Sequence, residues 1–187
     1  MTVAADRLPR LEMHELDPRV AEALGPRVKR LGYLGEFFKC TGHQPEALLA
    51  FMHFTEALKH ALPDRLTEAV SLTVATRADN PYERHQHERL SEKLGFGRPW
   101  ITDVMKLAPD TASEMSDDER KVQRLTLAAL ARHGRGVQAE LDAVIDAIGY
   151  QQAIAILMLV GRYATHALIV NALELAPPVP SIFGDSK

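Results

Sequence analysis

Cysteine is nearly absent from this sequence. The chain has a single cysteine, Cys40, among its 187 residues, so it cannot form a disulfide within itself. Cys40 has no partner at CxxC spacing, and we interpret it as a small buried side chain rather than a redox centre. A lone cysteine fits a reducing compartment, and we expect a cytoplasmic protein.

Charge of one sign and long apolar runs are also lacking. The net charge is −3, and the basic residues are scattered, so we expect no nucleic-acid partner. The longest apolar run, Ala153–Val160, is too short to cross a bilayer, and we expect no membrane partner. The first ten residues are charged where a signal peptide needs an apolar run. We read the run at 153–160 as part of a helix buried in a core or at a subunit interface.

Strict alternation of apolar and polar residues occurs nowhere, which argues against strands. Helical periodicity predicts an all-α fold in one domain spanning residues 1–187. The two ends of this domain are predicted to be irregular: an N-terminal arm at about 1–18 and a proline-rich C-terminal tail at about 176–187. The expected helices lie at 19–40, broken near Gly25-Pro26, and at 45–62, 64–77, 80–95, 99–107, 116–132, 137–148 and 150–175.

Glu68 is the charged residue within the otherwise apolar or small stretch 66–76. Such a stretch is typical of a buried helix, and burial without a cation raises the pKa of a carboxyl group towards the range useful for proton transfer. A carboxylate in the first turn also stabilises the helix dipole. Both interpretations of Glu68 stay open at this point.

The segment Asn80-Pro-Tyr-Glu83 has the form of a helix start. Asn80 takes the cap position, a proline follows, and Glu83 comes three residues after the cap. These roles explain Asn80 and Glu83 in purely structural terms. At 100° per residue, Glu83 and His87 share an apolar face with Leu90 and Leu94.

Two histidines follow this cap. His87 is predicted to point inward, either as a hydrogen-bonded core residue or as a proton donor or acceptor. His85 lies on the opposite face, and we expect it to be solvated. The two side chains diverge and cannot share one metal ion without distortion, so no metal site is predicted.

The last helix carries polar side chains in an apolar setting: Arg162, His166 and Asn171. They either line a pocket or satisfy polar groups in a core or interface network. The second interpretation is favoured.

The spacing Glu68-x11-Asn80-x2-Glu83-x3-His87 resembles the carboxymuconolactone decarboxylase and alkylhydroperoxidase D-like superfamily. The peroxidase branch of that superfamily carries E-x11-C-x-x-C-x3-H. The resemblance extends over about residues 42–96, including "LPDRLTEAVSLTVA", and more loosely over 116–175. It implies an alkylhydroperoxidase D-like helical bundle that assembles as a homo-oligomer, with a trimer, a hexamer or a dimer as the states considered.

The departure from that pattern decides which chemistry is expected. Asn80 and Glu83 occupy the two cysteine positions, so turnover through a vicinal thiol pair is excluded. The resemblance leaves Glu68 and His87 as a proton relay, and the Tyr82-Glu83 pair matches many decarboxylase-like members without thiols.

On this basis the expected function is proton-transfer chemistry on a small organic acid without a cofactor: decarboxylation, isomerisation or lactone chemistry. The candidate catalytic residues are His87, Glu68, Glu83 and Tyr82, and the candidate substrate-binding residues are Asn80, Arg84 and Arg162. The alternatives are a catalytically silent helical oligomer and a peroxidase-like antioxidant protein whose CxxC pair has been lost.

Overall fold

The computed structural model describes residues 8–184, so the first seven residues of the predicted arm and the last three of the predicted tail lie outside it. The described part contains nine α-helices and no strand, which confirms the all-α prediction. The helices are α1 (Pro18–Leu31), α2 (Glu36–Thr41), α3 (Pro45–Ala61), α4 (Asp64–Arg77), α5 (Pro81–Lys93), α6 (Arg98–Met105), α7 (Asp117–Arg132), α8 (Gln138–Ile148) and α9 (Tyr150–Ala172).

Helix α4 lies at the centre of the fold. Every residue from Leu66 to Ala75 is buried, and the helix packs against α5, α6, α7 and α9. One apolar core joins α4 to α7, α8 and α9, and a second surrounds α1, α2 and the start of α3. A third lies between α4 and α6. The residues of α4 are therefore held on all sides, and a polar side chain on this helix must find its partners inside the protein.

The sequence signals at the helix ends correspond to the observed bounds. Ser116 accepts a hydrogen bond from the backbone of Glu119, whose carboxylate accepts one from the backbone of Ser116, so the capping box of α7 is complete. Proline begins α1, α3 and α5. These residues stop or start helices through local backbone chemistry, which explains why the sequence locates them.

The predicted break at Gly25-Pro26 is wrong. Helix α1 continues through Pro26 to Leu31 and ends at Gly32, whose φ of 82° gives the left-handed turn that closes the helix. Proline removes one backbone hydrogen bond there, but Val20 and Leu24 are fully buried in the second core. Tertiary packing along this face outweighs the loss of one hydrogen bond.

By length and composition, helix α9 is apolar enough to cross a membrane, and 56% of its most apolar 18-residue window is buried inside the protein. The core helix of a globular protein has the same length and composition. Its outer face leaves Tyr150, Ile154, Met158 and Leu168 exposed.

Candidate functional site

Glu68 is buried as predicted, with 2% of its surface exposed. It lies in the second turn of α4 and faces α5, where its Oε2 is 2.7 Å from the Nδ1 of His87. The Ser91 hydroxyl donates to the same oxygen over 3.3 Å. The eleven-residue spacing that separates Glu68 from the cap of α5 thus brings a carboxylate and an imidazole into direct hydrogen-bond contact.

His87 lies between two carboxylates. Its Nδ1 meets Glu68, and its Nε2 lies 3.2 Å from the Oε2 of Glu83, one turn earlier on α5. Burial on its own would lower the pKa of His87, but the charges of Glu68 and Tyr163 and the hydrogen bonds to Glu68 and Glu83 raise that pKa well above its ordinary range. Because each ring nitrogen faces a carboxylate oxygen, the geometry favours the imidazolium, which donates from both nitrogens.

The Glu83 carboxylate contacts three basic side chains of the site. Its Oε1 lies 3.0 Å from the Nε2 of His166 and 3.4 Å from an Arg162 nitrogen, while its Oε2 contacts His87. Burial would raise the pKa of Glu83, but His166 and His87 hold it well below its ordinary value. Glu83 is thus an ionised carboxylate surrounded by basic side chains.

The purely structural interpretation of Glu83 is wrong for its side chain. The Oδ1 of Asn80 accepts a hydrogen bond from the Glu83 backbone over 3.2 Å, so Asn80 caps α5 as predicted. The Glu83 carboxylate does not return to the cap but turns to α9. Arg162 and His166, four residues apart on α9, share the face that receives it, and this decides the direction of the side chain.

Arg162 is anchored on several sides. It donates to the Thr55 hydroxyl of α3 over 3.0 Å, and its guanidinium lies 4.2 Å from the ring centre of Tyr163. His166 stacks on Phe37 with ring centres 4.1 Å apart. Both residues belong to a buried polar network and both also line a cavity, so the two interpretations of the sequence apply together. Asn171 donates instead to the backbone oxygen of Ala78 over 2.8 Å, where it satisfies the end of α4.

His85 is not solvated, contrary to the prediction. It is 8% exposed, and its Nδ1 lies 3.1 Å from the backbone oxygen of Val179. The proline-rich tail returns along α5 and covers this face, and Arg89 donates to the Pro180 oxygen over 2.9 Å. Helical periodicity locates a face of α5 correctly but gives no sign of a distant segment that packs on it.

Leu94 also departs from its predicted place on an inward stripe. It lies just after the end of α5 and is 40% exposed. The apolar face of α5 therefore ends at Leu90, one turn before Leu94, because the helix itself ends at Lys93.

Tyr82 is buried beside the site. Its hydroxyl oxygen accepts from the backbone N–H of Phe37 over 3.2 Å, and among residues 8–184 no acceptor engages its hydroxyl hydrogen. Burial raises the pKa of Tyr82, so the phenol stays protonated at neutral pH. A side chain of this kind can donate a hydrogen bond to a bound molecule.

A cavity of about 710 Å³ opens between α1, α2, α3, α5 and α9, and we call it the relay cavity. Tyr82, Glu83, His87 and Arg162 line it, and Glu68 lies behind His87. Its size lies within the range of sites that bind small molecules. Four of the seven predicted site residues therefore meet at one opening, with a fifth in contact behind them.

Asn80 and Arg84 do not line this cavity. The Asn80 oxygen is engaged in the cap, and Arg84 lies on another face of α5, 3.4 Å from Glu88. Their positions do not support the expectation that they bind substrate. His166, which does line the cavity, is the residue that the predicted site lacks. Its i, i+4 relation to Arg162 is the sequence signal that links the two.

Cys40 is buried as expected, and it does not line the relay cavity. Burial raises the pKa of its thiol, although the Arg10 guanidinium contacts the sulfur. Among residues 8–184, no group of three or more His, Cys, Asp or Glu side chains has the geometry to hold a metal ion. The acid–base groups that line the cavity are carboxylates, imidazoles and phenols.

Solved structures share this fold. The alkylhydroperoxidase AhpD core of an uncharacterised peroxidase-related protein from Ralstonia eutropha JMP134 has a TM-score of 0.78 at 16% identity, covering 91% of each chain. The debrominase Bmp8 has a TM-score of 0.77 at 14% identity, covering 92% of each chain. An uncharacterised peroxidase-related protein from Silicibacter sp. TM1040 has a TM-score of 0.75 at 13% identity, covering 96% of each chain.

No protein-family model matches the sequence, and no curated protein matches it. The helical fold that the motif indicates is thus shared with solved structures, among them an alkylhydroperoxidase AhpD core. At identities of 13–16% this similarity concerns the fold alone.

Proposed function

We propose that this protein catalyses proton transfer on a small organic acid without a cofactor, by decarboxylation, isomerisation or lactone chemistry. The observation that carries the proposal is the chain of contacts Glu68–His87–Glu83 beside the relay cavity. A buried imidazolium between two carboxylates can donate a proton to a bound molecule. His87 lines the cavity together with Glu83 and Tyr82, so a ligand in the cavity can contact all three.

A decarboxylation at this site would balance as follows. The bond between the substrate carbon and its carboxylate breaks, carbon dioxide leaves, and the electron pair forms an enolate with a neighbouring carbonyl. The Tyr82 hydroxyl donates a hydrogen bond to the enolate oxygen. His87 then gives its Nε2 proton to the carbon, and the neutral imidazole regains a proton from solvent. In isomerisation, His87 in its neutral form would remove a proton from one substrate carbon through Nε2 and return it to another carbon.

Glu68 and Glu83 would have different tasks. Glu68 fixes the ring of His87 through Nδ1 and stabilises its charged form. Glu83 holds Nε2 in the resting state and releases it when a substrate enters beside it. His166 and Arg162 keep Glu83 ionised throughout, so Glu83 does not take the His87 proton irreversibly.

The experiment is a screen of β-keto acids and unsaturated lactone acids, read as carbon dioxide release or as isomer formation. His87→Gln should lower the rate on any substrate found by roughly 10²–10⁴-fold, the usual contribution of a general acid or base. His53→Gln, at an exposed histidine of α3, is the matched control and should leave the rate unchanged. An unchanged rate in His87→Gln would reject the proposal.

In the alternative of a catalytically silent oligomer, the same network of buried side chains serves only to stabilise the fold. In that case every compound of the screen would be returned unchanged, and Glu68→Gln would reduce stability alone. Peroxide reactivity through Cys40 is the third alternative. Equal hydroperoxide consumption by wild type and Cys40→Ser would eliminate it.

We also propose that the chain assembles with copies of itself through the outer face of α9. Tyr150, Ile154, Met158 and Leu168 expose 45–71% of their surface along one stripe of this helix. The stripe contains no charged residue, so two copies can bury it against each other without desolvating a charge. An apolar cleft of about 400 Å³ lies beside Leu168 and adds a concave part to the same face.

A further inference from the structure

The walls of the relay cavity are unusually rich in aromatic rings for this chain. The sequence has six phenylalanines, four tyrosines and one tryptophan, and six of these residues line the cavity: Tyr33, Phe37, Phe38, Phe51, Tyr82 and Tyr163. Aromatic side chains present flat apolar faces that favour a flat, polarisable partner. The proton-relay groups occupy only one part of this wall, so most of it is available to hold the body of a ligand.

The charges that line the cavity are mostly positive, although the whole chain is acidic. Besides Arg162 near Glu83, five arginine and lysine side chains line it: Arg27, Arg30, Lys59, Arg89 and Lys93. Glu56 is the one acidic residue that lines the cavity besides Glu83. Arg30, Arg89 and Lys93 are exposed, and among residues 8–184 no carboxylate lies within 4.0 Å of any of these three. The outer part of the cavity therefore carries uncompensated positive charge.

Arg27 is the most buried cation of this group. Its guanidinium lies over the Phe38 ring, 5.2 Å from the ring centre, and 3.8 Å from Glu56, which Lys59 approaches at the same distance. Burial lowers the pKa of Arg27, and the attraction of Glu56 offsets this effect only partly. A partly buried guanidinium that shares one distant carboxylate is a ready partner for an anion.

We propose that the relay cavity binds an aromatic organic anion. The anionic group lies at the cluster of Arg27, Arg30, Lys59, Arg89 and Lys93, which we call the cationic mouth, and the ring lies between the aromatic walls. This inference rests on the proposed function, because it identifies the class of substrate that would reach His87 and Tyr82. It assigns selectivity for charge to cations of α1, α3 and α5, and selectivity for a flat ring to Tyr33 and the aromatic side chains of α2, α3, α5 and α9.

The test uses calorimetric titration with three probes of similar shape: 2-naphthoate, its neutral amide 2-naphthamide, and the saturated decahydro-2-naphthoate. Charge-assisted contacts should make 2-naphthoate bind at least roughly tenfold more tightly than 2-naphthamide. The aromatic walls should make it bind more tightly than the saturated acid as well. Equal binding of acid and amide would overturn the charge assignment, and equal binding of aromatic and saturated acids would overturn the aromatic one.

Variants of the cationic mouth localise the effect. Arg27→Gln, and the double change Arg30→Gln with Lys93→Gln, should bring the preference for acid over amide close to one. Arg30 and Lys93 are exposed, so the double variant should fold even if Arg27→Gln does not. Lys29→Gln is the control, since it removes one exposed charge of α1 that does not line the cavity. A loss in Lys29→Gln as large as in the mouth variants would contradict the proposal.

The outcomes separate this inference from the proposed function. Selective binding of 2-naphthoate by a protein that transfers no proton to any screened acid would retain the ligand class and reject the chemistry. Proton transfer on aliphatic acids, with no preference for 2-naphthoate in binding, would retain the chemistry and reject the ligand class. His87→Gln, which should slow turnover by roughly 10²–10⁴-fold, should retain the preference for acid over amide.

Discussion

At the scale of single residues, the main feature is that Glu83 stands where a thiol stands in the peroxidase pattern. A buried carboxylate is ordinarily neutral, but His87, His166 and Arg162 surround Glu83 and keep it charged. The family resemblance implies that Glu68 and His87 pair, and the structure shows their side chains in contact. The sequence does not predict the direction of the Glu83 side chain, because that depends on two residues of α9 about eighty positions away.

The stability of the protein should depend on pH through His87. A group whose pKa is raised on folding stabilises the protein fully below its unfolded pKa, and this contribution disappears as the pH rises through the folded value. The ordinary pKa of histidine is 6.5, and that of His87 lies well above it. The free energy of unfolding should therefore decline with rising pH from above pH 6.5, as urea titrations at pH 6–9 would detect.

Glu68→Gln provides the comparison for this pH dependence, since it removes the carboxylate that raises the pKa of His87 most. The alkaline decline should become shallower in this variant. Glu92→Gln, at an exposed carboxylate of the same helix α5, should leave the decline as it is in wild type. Identical slopes in wild type and Glu68→Gln would show that His87 is not a buried cation held by Glu68.

At the scale of helices and segments, the caps are predictable and the packing of the tail is not. Asn80 and Ser116 act through hydrogen bonds to residues three positions ahead, so the local sequence contains the whole signal. The tail segment 179–183 packs on α5 through its backbone and through Ser181, which donates to Glu88 over 2.6 Å. Nothing in the local sequence of α5 indicates that its His85 and Glu88 face is covered.

Ser181→Ala should destabilise the protein by about 1–3 kcal/mol, the usual cost of removing one hydrogen bond to a charged group. Glu88 is 1% exposed, so its carboxylate cannot readily exchange the lost donor for water. Urea unfolding at neutral pH measures the change. Ser113→Ala, at an exposed serine, is the control, and an equal effect of both substitutions would show that the contact between tail and α5 adds no stability.

At the scale of the whole molecule, periodicity predicts the all-α architecture and nearly all helix positions, because the apolar faces that build the cores recur at helical spacing. The relay cavity is different. Its wall combines α1, α2, α3, α5, α9 and Val179 of the tail, and no pattern within one segment indicates how such distant parts enclose a space. The resemblance in sequence therefore indicates Glu68 and His87, whereas the structure is needed to find the opening beside them.

Leu168→Glu should dissociate the proposed oligomer, because it introduces a charge on the stripe of α9, where Leu168 is 71% exposed. Light scattering coupled to size-exclusion chromatography should give a larger mass for wild type and the mass of one chain for the variant. Leu94→Glu changes another exposed leucine away from α9 and should retain the wild-type mass. A wild-type protein with the mass of one chain would contradict the assembly.

The central claim is that Glu68 and His87 act as one proton-transfer unit. The measurement that tests it most directly is the rate of carbon-bound deuterium incorporation from D₂O into a turned-over organic acid, for wild type, Glu68→Gln, His87→Gln and the double variant. Residues that act as a unit give non-additive losses, so the double variant should be no slower than His87→Gln alone. Losses that multiply in the double variant, or a wild-type rate in His87→Gln, would contradict the account.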